Sequence, residues 1–313
     1  MSMDRLLEKI AEKQNPTVAG LDPKLSYIPE TIRQESYARF GKTLEGAADA
    51  LLTFNKGLID SLCDIVPAVK PQAAYYEMYG WQGVRALAET IAYAKSKGMF
   101  VITDGKRNDI GATMQAYAAA HLGGTDVDGE TFEAFGADAL TVNGYLGTDG
   151  IEPLLSVCAG KGKGIFVLVK TSNPSSGEFQ DQMLHAMYEP LYRAMGNMCQ
   201  QWGQKLPGKY GYRGVGAGGG ATYPKQLQEL RKALPDTIFL VPGYGAQGGA
   251  AQDVAMGFDK NGLGAIVNSS RGIMCAWQKE GCAPEEYAAA ARREAGRMRD
   301  EIMGCVGKIT LPQ

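Results

Sequence analysis

The chain has 313 residues, 45% hydrophobic and 21% charged, the balance of an ordinary globular protein long enough for a sizeable core. A formal net charge of −2 without a long basic run argues against a nucleic-acid partner, although a small phosphorylated ligand needs only a few local donors. No apolar run reaches bilayer length, MSMDRLLEKIAEK lacks the form of a secretory leader, and six scattered cysteines contain no C-x-x-C pair, so a cytoplasmic, reduced, membrane-free protein without a metal site is expected.

Along the chain, a helical N-terminal extension leads to a first β-rich run at 17–21. A stripe of Leu44, Ala47, Leu51, Phe54, Leu58 and Leu62 at three- and four-residue spacing follows, then a strand at 65–69. Val84, Leu87, Ile91 and Ala94 form the next stripe, before strands at 99–103, 137–142 and 164–169. Residues 183–202 read as a packing stripe on Leu191, Met195, Met198 and Trp202, followed by a glycine-rich strand at 213–217. Leu227, Leu230 and Leu234 precede strands at 237–241 and 264–267, and a helix near 285–302 closes the chain.

Eight strands alternating with helices predict an α/β fold, a (β/α)8 TIM barrel in one domain over residues 1–313. No G-x-G-x-x-G follows the first strand, which removes the main support for a dinucleotide-binding sheet.

Polar residues end nearly every strand: Asp22, Lys70, Asp104 with Lys106, Asn143, and Lys170 with Ser172. Strand ends surface there, so any one charge is explained by exposure alone. Repetition with alternating sign points instead to a shared site at the barrel's C-terminal rim. Residues two apart share a side, so with Ile102 inward, Asp104 and Lys106 project over the mouth. Asp109 also fits a cap for a helix beginning at Ile110, but capping leaves Asp104 and Lys106 unexplained. Glycine-, proline- and serine-rich segments at 171–180 and 242–249 begin where strands five and seven end, and Gly243, Gly245, Gly248 and Gly249 give the second freedom to close over a ligand.

The pattern D-x-K-x-x-D-I-x-x-T, carried by Asp104, Lys106, Asp109, Ile110 and Thr113, resembles the signature of the orotidine 5'-phosphate decarboxylase family. So do VAGLDP (18–23), VKPQAAYYE (69–77), KTSNPSSGEFQD (170–181), GATYP (220–224), VPGYGAQGG (241–249) and NSSRG (268–272), in wording similar to the longer bacterial branch. The resemblance implies decarboxylation of orotidine 5'-phosphate to UMP without a cofactor, in a homodimer with shared active sites. Lys70, Asp104, Lys106 and the partner's Asp109 would form a charge network, with Lys106 as proton donor. Flanking carboxylates favour a charged Lys106, which suits proton delivery and not a Schiff base. By the same resemblance Asp22 and Lys70 contact ribose, Thr113 reaches it across the dimer, Ser172 reads the base and Gln247 bridges base and phosphate. Ile110, Asn143, Pro242, Gly243 and Ser270 complete the substrate contacts. Arg271 would bind phosphate, as a guanidinium placed after strand eight beside small residues is suited to do.

Gly144, where the family often has proline, and the glycine-rich sixth strand depart from the pattern and leave the role of Asn143 open. His121 and His185 lie in or near helical segments and match no site position. Two rival readings remain. A magnesium-dependent sugar-phosphate decarboxylase or synthase would need an acid where Lys70 stands. A non-catalytic nucleotide-binding barrel would not need Lys106 set between acids near a substrate carboxylate.

Overall fold

The computed structural model describes residues 1–245 and 249–312. Eight strands run parallel: β1 (Thr17–Leu21), β2 (Ala68–Pro71), β3 (Phe100–Arg107), β4 (Ala139–Val142), β5 (Gly164–Lys170), β6 (Val215–Gly219), β7 (Phe239–Val241) and β8 (Ala265–Ser269). Each pairs with its chain neighbour, and β8 returns to β1 to close the barrel. The main surrounding helices are α1 (Ser2–Lys13), α2 (Leu44–Leu62), α3 (Gly80–Ser96), α4 (Gly111–His121), α5 (Thr148–Lys161), α6 (Leu191–Gly203), α7 (Pro224–Ala233) and α8 (Tyr287–Val306). Among the described residues no helix is long and apolar enough to cross a membrane.

The two-residue period of the strands sorts the core. Val18, Ala68, Phe100, Ile102, Ala139, Phe166, Leu240 and Ile266 share one buried cluster with Met3, Leu6, Leu7 and Ile10 of α1. The N-terminal extension therefore plugs the lower end of the barrel, each of its four buried apolar side chains contributing at most about 1.5–3 kcal/mol. Alternate residues face outward: Ala19, Val69 and Val101 pack toward α2 and α3, while Leu140, Val167, Phe239 and Val267 join the cluster under α5, α6 and α7. With the lower end closed, a ligand has to enter at the C-terminal ends of the strands.

Several boundaries differ from the sequence reading. The second strand starts at Ala68 and not at 65, because the N–H groups of Ile65 and Val66 turn back onto the Leu62 carbonyl. The third runs on to Arg107 through a register shift against β4. The sixth begins at Val215; its Gly216 is required because a Cβ there would lie 2.5 Å from the Phe166 ring. Residues 183–202 are not one stripe. Met183–Leu184 and Glu189–Pro190 form a small hairpin that exposes Met183, Met187 and Tyr188, and the helix starts only after Pro190. His185 is exposed in that hairpin, whereas His121 ends α4 buried against Phe135. A second small hairpin pairs Thr125–Val127 with Glu130–Phe132.

Candidate active site

At the open end, the inward positions of successive strands change from apolar to polar. Lys70 follows Ala68 on β2, Asp104 follows Ile102 on β3, Thr141 follows Ala139 on β4 and Asn268 follows Ile266 on β8, as the strand period requires. This upper layer forms the floor of the site.

Asp104 is its centre. Lys70 Nζ donates to Asp104 Oδ2 at 2.6 Å, and Lys106 Nζ to Oδ1 at 2.6 Å. Thr141 Oγ1 donates to the same Oδ1 at 2.8 Å. Burial works against the Asp104 carboxylate, yet the two ammonium groups overcome it and hold its pKa well below the usual carboxylate range. Burial likewise opposes the charge on Lys70, but Asp104 and Asp22 outweigh it and raise its pKa. Asp104 and Lys70 therefore keep their opposite charges near neutrality. Lys106 differs from Lys70 in access: its side chain is 46% exposed against 4%, so the Lys106 ammonium is the more open of the two.

Two cavities meet at this array. One, of about 450 Å³, is lined by Asp22, Lys70, Asp104, Lys106, Asn268 and Arg271, with Pro242, Gly243 and Ser270 at its edge. The other, of about 360 Å³, shares Lys70, Asp104, Lys106 and Pro242 and extends to Leu168 and Ser172. Asp22 Oδ1 and Asn268 Oδ1 are buried and accept no hydrogen bond among the described residues, so the larger cavity offers two acceptors suited to ligand hydroxyls. Arg271, with Ser269 and Ser270, is among the residues lining the larger cavity. That lining thus combines the cations Lys24, Lys70, Lys106 and Arg271 with the acids Asp22 and Asp104.

Comparison with known proteins shows the family and the fold. The description "Orotidine 5'-phosphate decarboxylase / HUMPS family" matches residues 47–283. The chain belongs to this family. An orotidine 5'-phosphate decarboxylase of Rhodopirellula baltica is 46% identical over 275 residues, 88% of this chain and 87% of that one. Another, from Clostridium kluyveri, is 39% identical over 97% of both chains. Among solved structures, Leishmania donovani OMP decarboxylase superposes with a TM-score of 0.71 at 29% identity, covering 96% of this chain and all of that one. An orotidine-monophosphate decarboxylase candidate from Toxoplasma gondii gives 0.78 at 32% identity and 97% coverage of each.

Not every position suggested by the decarboxylase-family motifs reaches these cavities. Asp109, Ile110 and Thr113 lie at the start of α4 on the outer rim, Thr113 exposed and Ile110 49% exposed. Asp109 does not cap the helix in the expected way: α4 begins at Gly111, and among the described residues the Asp109 carboxylate accepts only from the N–H of Ile110. Asn143 lines an adjacent apolar groove with Tyr145, Phe179 and Met195, and its Oδ1 accepts from the Tyr145 N–H. Gly144 borders that groove, where a Cβ would lie 2.7 Å from Met195 Sδ. Gln247 and Gly248 lie outside the described residues.

The sequence of this decarboxylase-family chain marks Lys170 only as one of the polar strand ends and gives no role to Thr141 or Asn268. Strand parity was the available signal for the latter two, since each stands two residues beyond an apolar inward position. Lys170, only 1% exposed, donates to Ser176 Oγ at 3.0 Å and Asp181 Oδ1 at 2.8 Å, with the Tyr223 ring 4.3 Å away. It thereby ties down the segment carrying Ser172, which Thr222 holds from the other side through the Ser172 carbonyl. Its signal lay in KTSNPSSGEFQD, where Ser176 and Asp181 supply partners for a lysine whose strand ends in the core.

Proposed function

We propose that this protein decarboxylates orotidine 5'-phosphate to UMP, using its own side chains and no cofactor. The observation that carries the reading is the Asp104 carboxylate held between Lys70 and Lys106 in a cavity whose lining also includes Asp22 and Arg271. Substrate phosphate binds Arg271, the ribose hydroxyls meet Asp22 and Lys70, and the pyrimidine enters the adjoining cavity beside Ser172. The substrate carboxylate then lies toward Asp104. Its bond to C6 breaks, CO2 leaves, and the bonding pair stays on C6. Lys106 stabilises that developing charge and transfers an Nζ proton to C6, regaining one from water afterwards. A fixed ammonium suits this task because it needs no reorganisation as charge appears.

The reading includes a homodimer. Asp109, Ile110 and Thr113 line neither cavity of their own chain, and Ile110 and Thr113 are exposed, which supports a role for them in a partner's site. It also includes a cytoplasmic location, in keeping with a family of metabolic enzymes. The magnesium-dependent alternative is disfavoured by Lys70: the strand-two position that would supply an acid carries an ammonium already paired with Asp104.

The test is loss of substrate ultraviolet absorbance with purified protein in EDTA. Turnover is expected; its absence refutes the proposal. Lys106→Ala should keep its fold and lose nearly all activity, and substantial residual turnover reassigns the proton donor. Mixing Lys106→Ala with Asp109→Ala chains should restore part of the activity if sites are shared, and no restoration counts against sharing.

A further inference from the structure

Beside the charged array, β3 leaves the regular ladder. Thr103 pairs with Leu140 and Arg107 with Val142, so four steps along β3 face two along β4. The surplus residues form a bulge that contains both Asp104 and Lys106. Bulges re-aim side chains but leave ladder donors without backbone partners. Lys106 itself has φ 48, in the left-handed region that residues with a Cβ seldom occupy.

One side chain resolves both difficulties. The Lys106 N–H donates to Thr141 Oγ1 at 3.0 Å, and the Thr141 hydroxyl in turn donates to Asp104 Oδ1 at 2.8 Å. That oxygen also receives Lys106 Nζ at 2.6 Å. The directions are forced, since a backbone N–H only donates and an ionised carboxylate only accepts. A closed circuit therefore runs from the Lys106 backbone through Thr141 and Asp104 to the Lys106 ammonium.

We propose that Thr141 is a positioning residue for the decarboxylation: it fixes the left-handed backbone of Lys106 and the carboxylate that aims its ammonium in one rigid relation. The inference rests on the proposed decarboxylase reading for its kinetic part only. Valine matches threonine in shape but can neither accept the Lys106 N–H nor donate to Asp104, whereas serine keeps both bonds.

The experiment compares wild type, Thr141→Val and Thr141→Ser. In the decarboxylation assay Thr141→Val should lower kcat about 100-fold, the scale of a small misplacement of a reacting group, with KM nearly unchanged; Thr141→Ser should stay near wild type. Equal kcat for the valine variant and wild type overturns the proposal, as does a serine variant that falls as far as valine. Absence of wild-type turnover defeats the functional reading instead, and hydrogen exchange then decides the inference without activity. The Lys106 amide should be protected in wild type and Thr141→Ser and unprotected in Thr141→Val. An unprotected Lys106 amide in wild type overturns the proposal even if no variant folds.

Discussion

Replacing Asp104 by Asn changes one oxygen for an amide nitrogen and removes a single charge, yet it should affect both stability and activity. Its two ion pairs are unequal. The Lys106 pair is open to water on the lysine side, and exposed pairs contribute about 0–1 kcal/mol. In the Lys70 pair both side chains are under 10% exposed, and deleting one partner of a buried pair costs about 3–5 kcal/mol because the other charge is left uncompensated. Asp22 also acts on Lys70, so the low end, about 3 kcal/mol, is expected. Urea unfolding at pH 7 measures this directly. Asp104→Asn combined with Lys70→Met should then be more stable than Asp104→Asn alone, because the stranded ammonium is gone. Neither variant should retain more than about a hundredth of wild-type turnover, since acid–base positioning of this kind is typically worth 10²–10⁴-fold. A single variant within 1 kcal/mol of wild type, or a double variant no more stable than the single, refutes the claim that Lys70 depends on Asp104.

His121, buried against Phe135 and pushed down to about 4 mainly by burial, stays neutral in the native state while the unfolded chain gains a proton below about 6.5. Stability should therefore fall with pH across that window, by roughly 2 kcal/mol between pH 7 and 5; His121→Leu should abolish this part of the slope, and an NMR titration placing His121 near 6.5 contradicts it. Arg271→Ala should raise KM for the phosphorylated substrate about 10- to 100-fold, the worth of a charge-assisted contact, and shrink the preference for orotidine 5'-phosphate over orotidine in parallel assays; an unchanged preference places the phosphate elsewhere. Lys170→Met should loosen the Ser172 segment, seen as faster proteolysis within 173–182 and a KM raised about tenfold, whereas Asp181→Asn, altering the 40% exposed partner, should do less. Equal effects from the two variants contradict an anchor centred on the buried lysine.

Local pattern was enough to set out the barrel. Short continuous apolar runs between stripes of period 3.6 depend on residues near in sequence, and the polar positions ending those runs mark Asp22, Lys70, Asp104, Lys106 and Ser172. What escaped depends on neighbours distant in the chain. The bulge that turns Asp104 and Lys106 to one side is a mismatch between two strands, so neither strand's sequence states it alone. Gly216 looks like a weak strand residue until the Phe166 ring of the adjacent strand occupies its space. Strand order and the nature of the rim were thus written in the chain. Which groups share a proton, and which lysine stays open to a ligand, were decided only when the closed barrel set β2, β3 and β4 side by side, because hydrogen bonds and burial belong to pairs of residues and not to positions.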